Sequence, residues 1–200
     1  MTPSKMQSKT TTHKVLICVS ELYNTNELFP LIKILKAHKI AVDVCSGVRI
    51  IQDEASNTQL KLKMTYEDLI VEKVIKEYDG VICVSGALKP TLALWKNQVL
   101  RKIIIGMDAK GKVCAGICVS APTVAIVMEN RKMTCFPLID AKAWVRNHGA
   151  ILTNRTVEVD KNVVTALDQH CTQLWAEIIA RKIVGLPTED LEIKTEKSGF

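Results

Sequence analysis

The chain has 200 residues, 48% hydrophobic and 24% charged, the balance of one soluble globular domain with a substantial core, which excludes a mainly disordered chain and argues against two domains. The net charge of +6 is concentrated at one end, because Lys5, Lys9 and Lys14 supply half of it before the first acidic residue, Glu21; with aromatics at 4% and no basic cluster interleaved with them, nucleic acid is excluded as a partner. No apolar run reaches the roughly 18 residues that span a bilayer, so no membrane is expected, and seven cysteines without disulfide spacing point to a reducing compartment, the cytoplasm.

Residues 1–13 lack periodicity and read as a disordered basic tail, 14–187 as the folded domain, and 188–200 as a flexible tail. Val15-Leu16-Ile17-Cys18-Val19 is a continuous apolar run, the pattern of a parallel strand buried on both faces. Asn24 and Glu27 fit a capping box, and Leu28, Leu31, Ile32 and Leu35 make one helical stripe after it. A strand over 40–45 follows, then alternation at Leu60, Leu62 and Met64, then a helix over 66–77. The spacing next predicts a buried strand over 80–84, a helix over 91–109, a strand over 113–118 and a helix over 121–129. Runs at 156–159 and 163–167 flank Asp160-Lys161-Asn162 as a hairpin, and 170–184 is a last helix stopped by Gly185 and Pro187. Alternation of strand and helix requires right-handed crossovers and a mostly parallel sheet with helices on both faces, and it directs attention to the carboxyl ends of the strands.

One segment carries chemistry. In Val113-Cys114-Ala115-Gly116-Ile117-Cys118-Val119-Ser120-Ala121-Pro122-Thr123 an apolar strand runs into small residues and a proline. A nucleophile on such a tight strand-to-helix turn is held clear of the sheet, and backbone N–H groups at the helix start favour its anion. On that reasoning the Cys118 pKa is expected to fall from about 8.5 toward neutrality. The alternative is a small buried hydrophobe ending a core strand. Cys114 and Cys118 lie four apart on a strand, about 13 Å, too far for a shared metal or a disulfide, and no metal site is expected.

Gly116-Ile117-Cys118 followed by Pro122-Thr123 resembles the nucleophile elbow of the ThiJ/PfpI superfamily, in the branch of Parkinson disease protein seven. The resemblance extends to Glu27-Leu28-Phe29-Pro30, to the segment from Tyr78 through Ser85-Gly86, to Met133-Thr134-Cys135-Phe136-Pro137-Leu138 and to Val163-Val164-Thr165. It implies an α/β, flavodoxin-like three-layer sandwich and a homodimer. It also implies a Cys paired with a Glu from the loop after the first strand. Counted back from Pro30, that Glu position falls on Asn26; Glu27 is one residue away, a turn of about 100° on a helix, and its capping role is the reading the spacing favours.

Other departures follow the same comparison. The elbow holds one residue more before Pro122 than the family spacing, so the strand register makes Cys118 the nucleophile and the helix register puts Val119 there. Ser85-Gly86-Ala87 replaces the family's Pro-Gly-Gly, which leaves a backbone oxyanion contact at Gly86 and Ala87 in question. Phe136 stands where many relatives carry His and Leu167 where the stress-protein branch carries Arg, while His170 is a candidate acid-base group. A glutamine amidotransferase needs a His and Glu two apart that His148 and His170 lack, a peptidase relative needs His where Val119 stands, and the loop 20–26 lacks a phosphate cradle for a flavin. No cofactor is expected. The reading is a cysteine-dependent stress protein in which Cys118 and Glu27 act on small reactive carbonyls (glyoxalase- or deglycase-like) or Cys118 senses oxidants, with Asn26, Gly86, Ala87, Val119 and His170 around the substrate. The alternative is a catalytically silent, dimeric interaction module.

Overall fold

In the first strand, β1 (Lys14–Val19), the apolar run leaves no side chain from 15 to 19 exposed, because parallel neighbours flank it and helices cover both faces. This computed structural model describes residues 12–192, so the expectations for 1–11 and 193–200 lie outside the described residues. His13, expected in the tail, is held against the sheet: its carbonyl accepts from the Ala41 N–H and its ring lies 3.3 Å from Asp79.

The remaining elements are, in order, β2 (Leu22–Tyr23), α1 (Thr25–Ala37), β3 (Ala41–Ser46), β4 (Ile50–Asp53), β5 (Gln59–Lys61), β6 (Met64–Thr65), α2 (Val71–Glu77), β7 (Gly80–Val84), α3 (Leu88–Lys96), α4 (Gln98–Ala109), β8 (Val113–Ile117), β9 (Lys132–Met133), α5 (Ile139–Asn147), β10 (Ile151–Leu152), β11 (Val157–Asp160), β12 (Val163–Ala166), α6 (Thr172–Val184) and α7 (Glu189–Glu192). Seven strands form one sheet in the order β11-β12-β8-β7-β1-β3-β6, parallel except for the β11–β12 hairpin. Side chains of α1 and α6 bury one face of it, those of α2, α4 and α5 the other. That is the expected α/β three-layer architecture, with the carboxyl ends of β1, β7, β8 and β12 converging on one edge. Among the described residues, no helix is long and apolar enough to cross a membrane.

Several expected elements are divided. The alternation at Leu60, Leu62 and Met64 belongs to two short strands in different sheets, β5 and β6, because Leu62 turns inward between them. The helix over 66–77 opens as a 3₁₀ turn, Tyr66–Asp68, and restarts at Val71. The helix over 91–109 is two helices, α3 and α4; the Asn97 side chain breaks the run by accepting from the Leu100 N–H at 3.0 Å, so it caps a second start. Cys118–Val127 winds as 3₁₀ turns beginning directly at Cys118. Beyond Pro187, where a loose tail was expected, Leu191 of α7 is buried against the body, and this apolar anchor holds Glu189–Glu192 in place.

Candidate active site

Cys118 is the first residue after β8 and has φ of +55°, the left-handed region that a side chain occupies at a cost. The turn is that tight because the 3₁₀ segment folds back over the strand: a Cβ on Gly116 would stand 2.7 Å from the Ala121 Cα, so only glycine fits there. Ser120 fixes the bend, its hydroxyl 2.7 Å from the carbonyls of both Cys83 and Ile117 and accepting from the Ile117 N–H at 3.3 Å. The elbow position is therefore Cys118 in the strand register. Val119 is buried, with its carbonyl accepting from the Trp95 indole at 2.8 Å.

Glu27 does not close a capping box. Asn24 caps α1 alone, accepting from the Asn26 N–H at 2.8 Å, while its own N–H donates to the Ser85 carbonyl. Glu27 turns inward instead and is fully buried, its Oε2 accepting from the Ser85 N–H at 2.9 Å and from the Ser85 hydroxyl at 2.6 Å. Its Oε1 is buried without a hydrogen-bond partner among the described residues. Asn26, the position reached by counting back from Pro30, is exposed on the opposite side of the turn. The helical step that separates the two residues thus carries Glu27 toward the thiol and Asn26 away from it.

The electrostatics differ from the expected fall in thiol pKa. Burial pushes Glu27 up to about 7, against the Ser85 donors that pull it down. Burial and then the Glu27 charge push the Cys118 thiol up to about 12, with the Ser85 hydroxyl and the Val119 N–H opposing. The elbow supplies one backbone donor, but a half-buried sulfur beside a carboxyl loses more from desolvation than that donor returns. Above about pH 7 the resting pair is accordingly a carboxylate next to a protonated thiol.

Around the pair, β2 meets the β7 end through a Tyr23–Gly86 bridge in which the Ala87 N–H donates to the Leu22 carbonyl at 2.9 Å. Ala87 is thus occupied, not an oxyanion donor. Gly86 lies so close to β2 that a Cβ would stand 1.7 Å from the Leu22 carbonyl oxygen, and among the described residues its own N–H has no hydrogen bond. His170 is exposed, its N–H donating to Asp168 at 2.8 Å; the short 3₁₀ turn Gln169–Cys171 before α6 presents it to solvent. Phe136 contributes its N–H to the Cys118 carbonyl. Sequence reasoning passed over Ser85 as a partner of Glu27, and it passed over Asn24, Gln169 and Asp168 at the rim, where Asn24 Nδ2 donates to Gln169 Oε1 at 3.0 Å. Their signal was positional, since each follows a strand end by one to three residues.

The sequence pattern described as the DJ-1/PfpI family matches residues 13–181. An uncharacterized protein of Methanocaldococcus jannaschii is 27% identical over 173 residues, 85% of this chain and 82% of its own. Among solved structures, a ThiJ/PfpI domain protein from Brachyspira murdochii superposes with a TM-score of 0.75 at 20% identity, covering 88% of this chain and 99% of that one. Schizosaccharomyces pombe DJ-1 gives a TM-score of 0.69 at 15% identity, over 93% of this chain and all (100%) of its own.

Proposed function

From the premise that this chain belongs to the DJ-1/PfpI family, we propose that it is a cysteine-dependent enzyme acting on small reactive carbonyl compounds, with Cys118 as nucleophile and Glu27 as its base. The observation that carries this reading is the inward Glu27, held by two Ser85 donors beside a strained cysteine, with its pKa at about 7. A base of that pKa is half ionised at working pH, where the product of base fraction and basicity is greatest.

In the addition step the Cys118 sulfur forms a bond to the carbonyl carbon and the C=O π pair moves onto oxygen. The thiol proton passes to Glu27 and from there to that oxygen, giving a hemithioacetal with no net loss of atoms or electrons. This reading assigns the Gly86 N–H, which has no hydrogen bond among the described residues, to the oxygen while it is charged.

Seven free thiols support a reducing compartment, and we place the protein in the cytoplasm as a homodimer. The test is consumption of methylglyoxal by the intact protein, alongside mass-spectrometric alkylation of Cys118 with the other six cysteines as internal controls. Turnover that rises through about pH 7 and is lost in both Cys118→Ala and Glu27→Gln supports the reading. No turnover, with Cys118 alkylated no faster than Cys45 or Cys171, replaces it with the silent interaction module.

A further inference from the structure

Two carboxylates, Glu27 and Asp168, bear on the thiol with negative charge. Ala166 pairs with Ile117 in register, so the chain leaving β12 carries Asp168 out beside the residue that leaves β8, Cys118. Asp168 Oδ1 accepts from the His170 N–H at 2.8 Å and from the Cys171 thiol at 3.6 Å, which pins the carboxylate at the rim and, among the described residues, leaves Oδ2 without a hydrogen bond. Its charge raises the Cys118 pKa, as does that of Glu27 behind the sulfur.

On the other side, the Glu54 N–H donates to the Tyr23 carbonyl at 2.8 Å, and Tyr23 is the residue bridged to Gly86. Glu54 is exposed at that wall and its charge raises Glu27. In the chain leaving β12, apolar Leu167 is followed directly by the acid Asp168. Among the described residues, the buried Glu27 Oε1 and the Gly86 N–H between these segments have no hydrogen bond, leaving polar groups there for a ligand.

We propose that the Cys118 site selects positively charged electrophiles: within the carbonyl reading above, on which this substrate class rests, aldehydes that carry an ammonium, guanidinium or trimethylammonium group, in preference to those that carry a carboxylate or phosphate. Asp168 and Glu54 are the specificity-determining residues. An incoming cation gains from both carboxylates and an anion is repelled by both.

The test reads charge without requiring turnover. Two methanethiosulfonates of similar size, one trimethylammonioethyl and one sulfonatoethyl, are reacted with the full chain. In each case the Cys118 sulfur forms the new S–S bond and methanesulfinate leaves, and the rate ratio is normalised to that of a small free thiol. At about pH 8 the cation is expected to react about tenfold faster than the anion on this scale, falling with added salt. Asp168→Asn, which keeps the N-terminal cap of its turn, is expected to lower the ratio about threefold, and Glu54→Gln to lower it less.

A ratio at or below one, or a Cys118 that neither reagent reaches, overturns the inference. Trimethylammonioacetaldehyde and glyoxylate then serve as the substrate pair. Turnover of aldehydes with a ratio at or below one keeps the carbonyl reading and removes the charge selection. A cation preference without turnover of either aldehyde keeps the selection and removes the carbonyl reading.

Discussion

A left-handed backbone at Cys118 is tolerated because Gly116 and Ser120 build the bend around it. Of two variants that both lack the thiol, Cys118→Gly is expected to be more stable than Cys118→Ala by about 1 kcal/mol in urea unfolding, since only glycine is at ease at that φ. Equal stabilities would mean the elbow is unstrained. Glu27 makes a second prediction, with a sign set by its shift. Its folded pKa of about 7 lies above its ordinary 4.5, so as pH rises between those values the unfolded chain loses the proton first and the folded state is progressively destabilised. Glu27→Gln is therefore expected to gain about 2–3 kcal/mol over the parent at about pH 8, and the gain should fade toward pH 4.5. A gain independent of pH would show that the carboxyl is not held up by burial. At this scale the spacing favoured a capping role for Glu27, and the structure replaces it with a buried carboxyl held by Ser85. The Asn24-to-Glu27 spacing is the same whether Glu27 turns back to cap α1 or inward to Ser85, and only the partner across the sheet decides between them.

Secondary structure was legible where burial is uniform and obscure where a single side chain interrupts a pattern. Strands β1 and β7 stand out as unbroken apolar runs, whereas α3 and α4 share a continuous apolar stripe that gives no warning of the cap at Asn97. Asn97→Ala removes the acceptor of the Leu100 N–H and is expected to cost about 1 kcal/mol, read as a lower unfolding midpoint with unchanged cooperativity. A similar tie holds α2, whose last carbonyls accept from a lysine distant in sequence: Lys112 Nζ donates to Ile75 at 2.7 Å and Tyr78 at 2.6 Å. Lys112→Met is expected to leave those carbonyls short of a donor and to cost about 1–2 kcal/mol, with hydrogen exchange rising first in α2. Exchange rising evenly over the molecule would refute a local role. Neither tie has a motif, because each depends on where the sheet brings two distant segments together.

For the molecule as a whole, alternation of strand and helix was enough to specify the layers and the edge that carries the site. It was not enough to specify the rim, because Asp168, Glu54 and Ser85 come from three connections whose mutual approach follows from strand order. As a dimer, the protein should scatter light as twice its 22.2 kDa at micromolar concentration, and a mass of one chain would remove the dimer from the proposed function. The strand order bears also on synthesis. β8 is bordered by β7, which precedes it, and by β12, which is made some 50 residues later (Gly116 pairs with Thr165). Until β12 leaves the ribosome, Val113–Ile117 presents a bare apolar edge with the thiol at its tip, the kind of edge that recruits other strands. A nascent chain stalled in that interval is the form of this protein most in need of a chaperone, and the last hairpin, which supplies no nucleophile, is what ends that need.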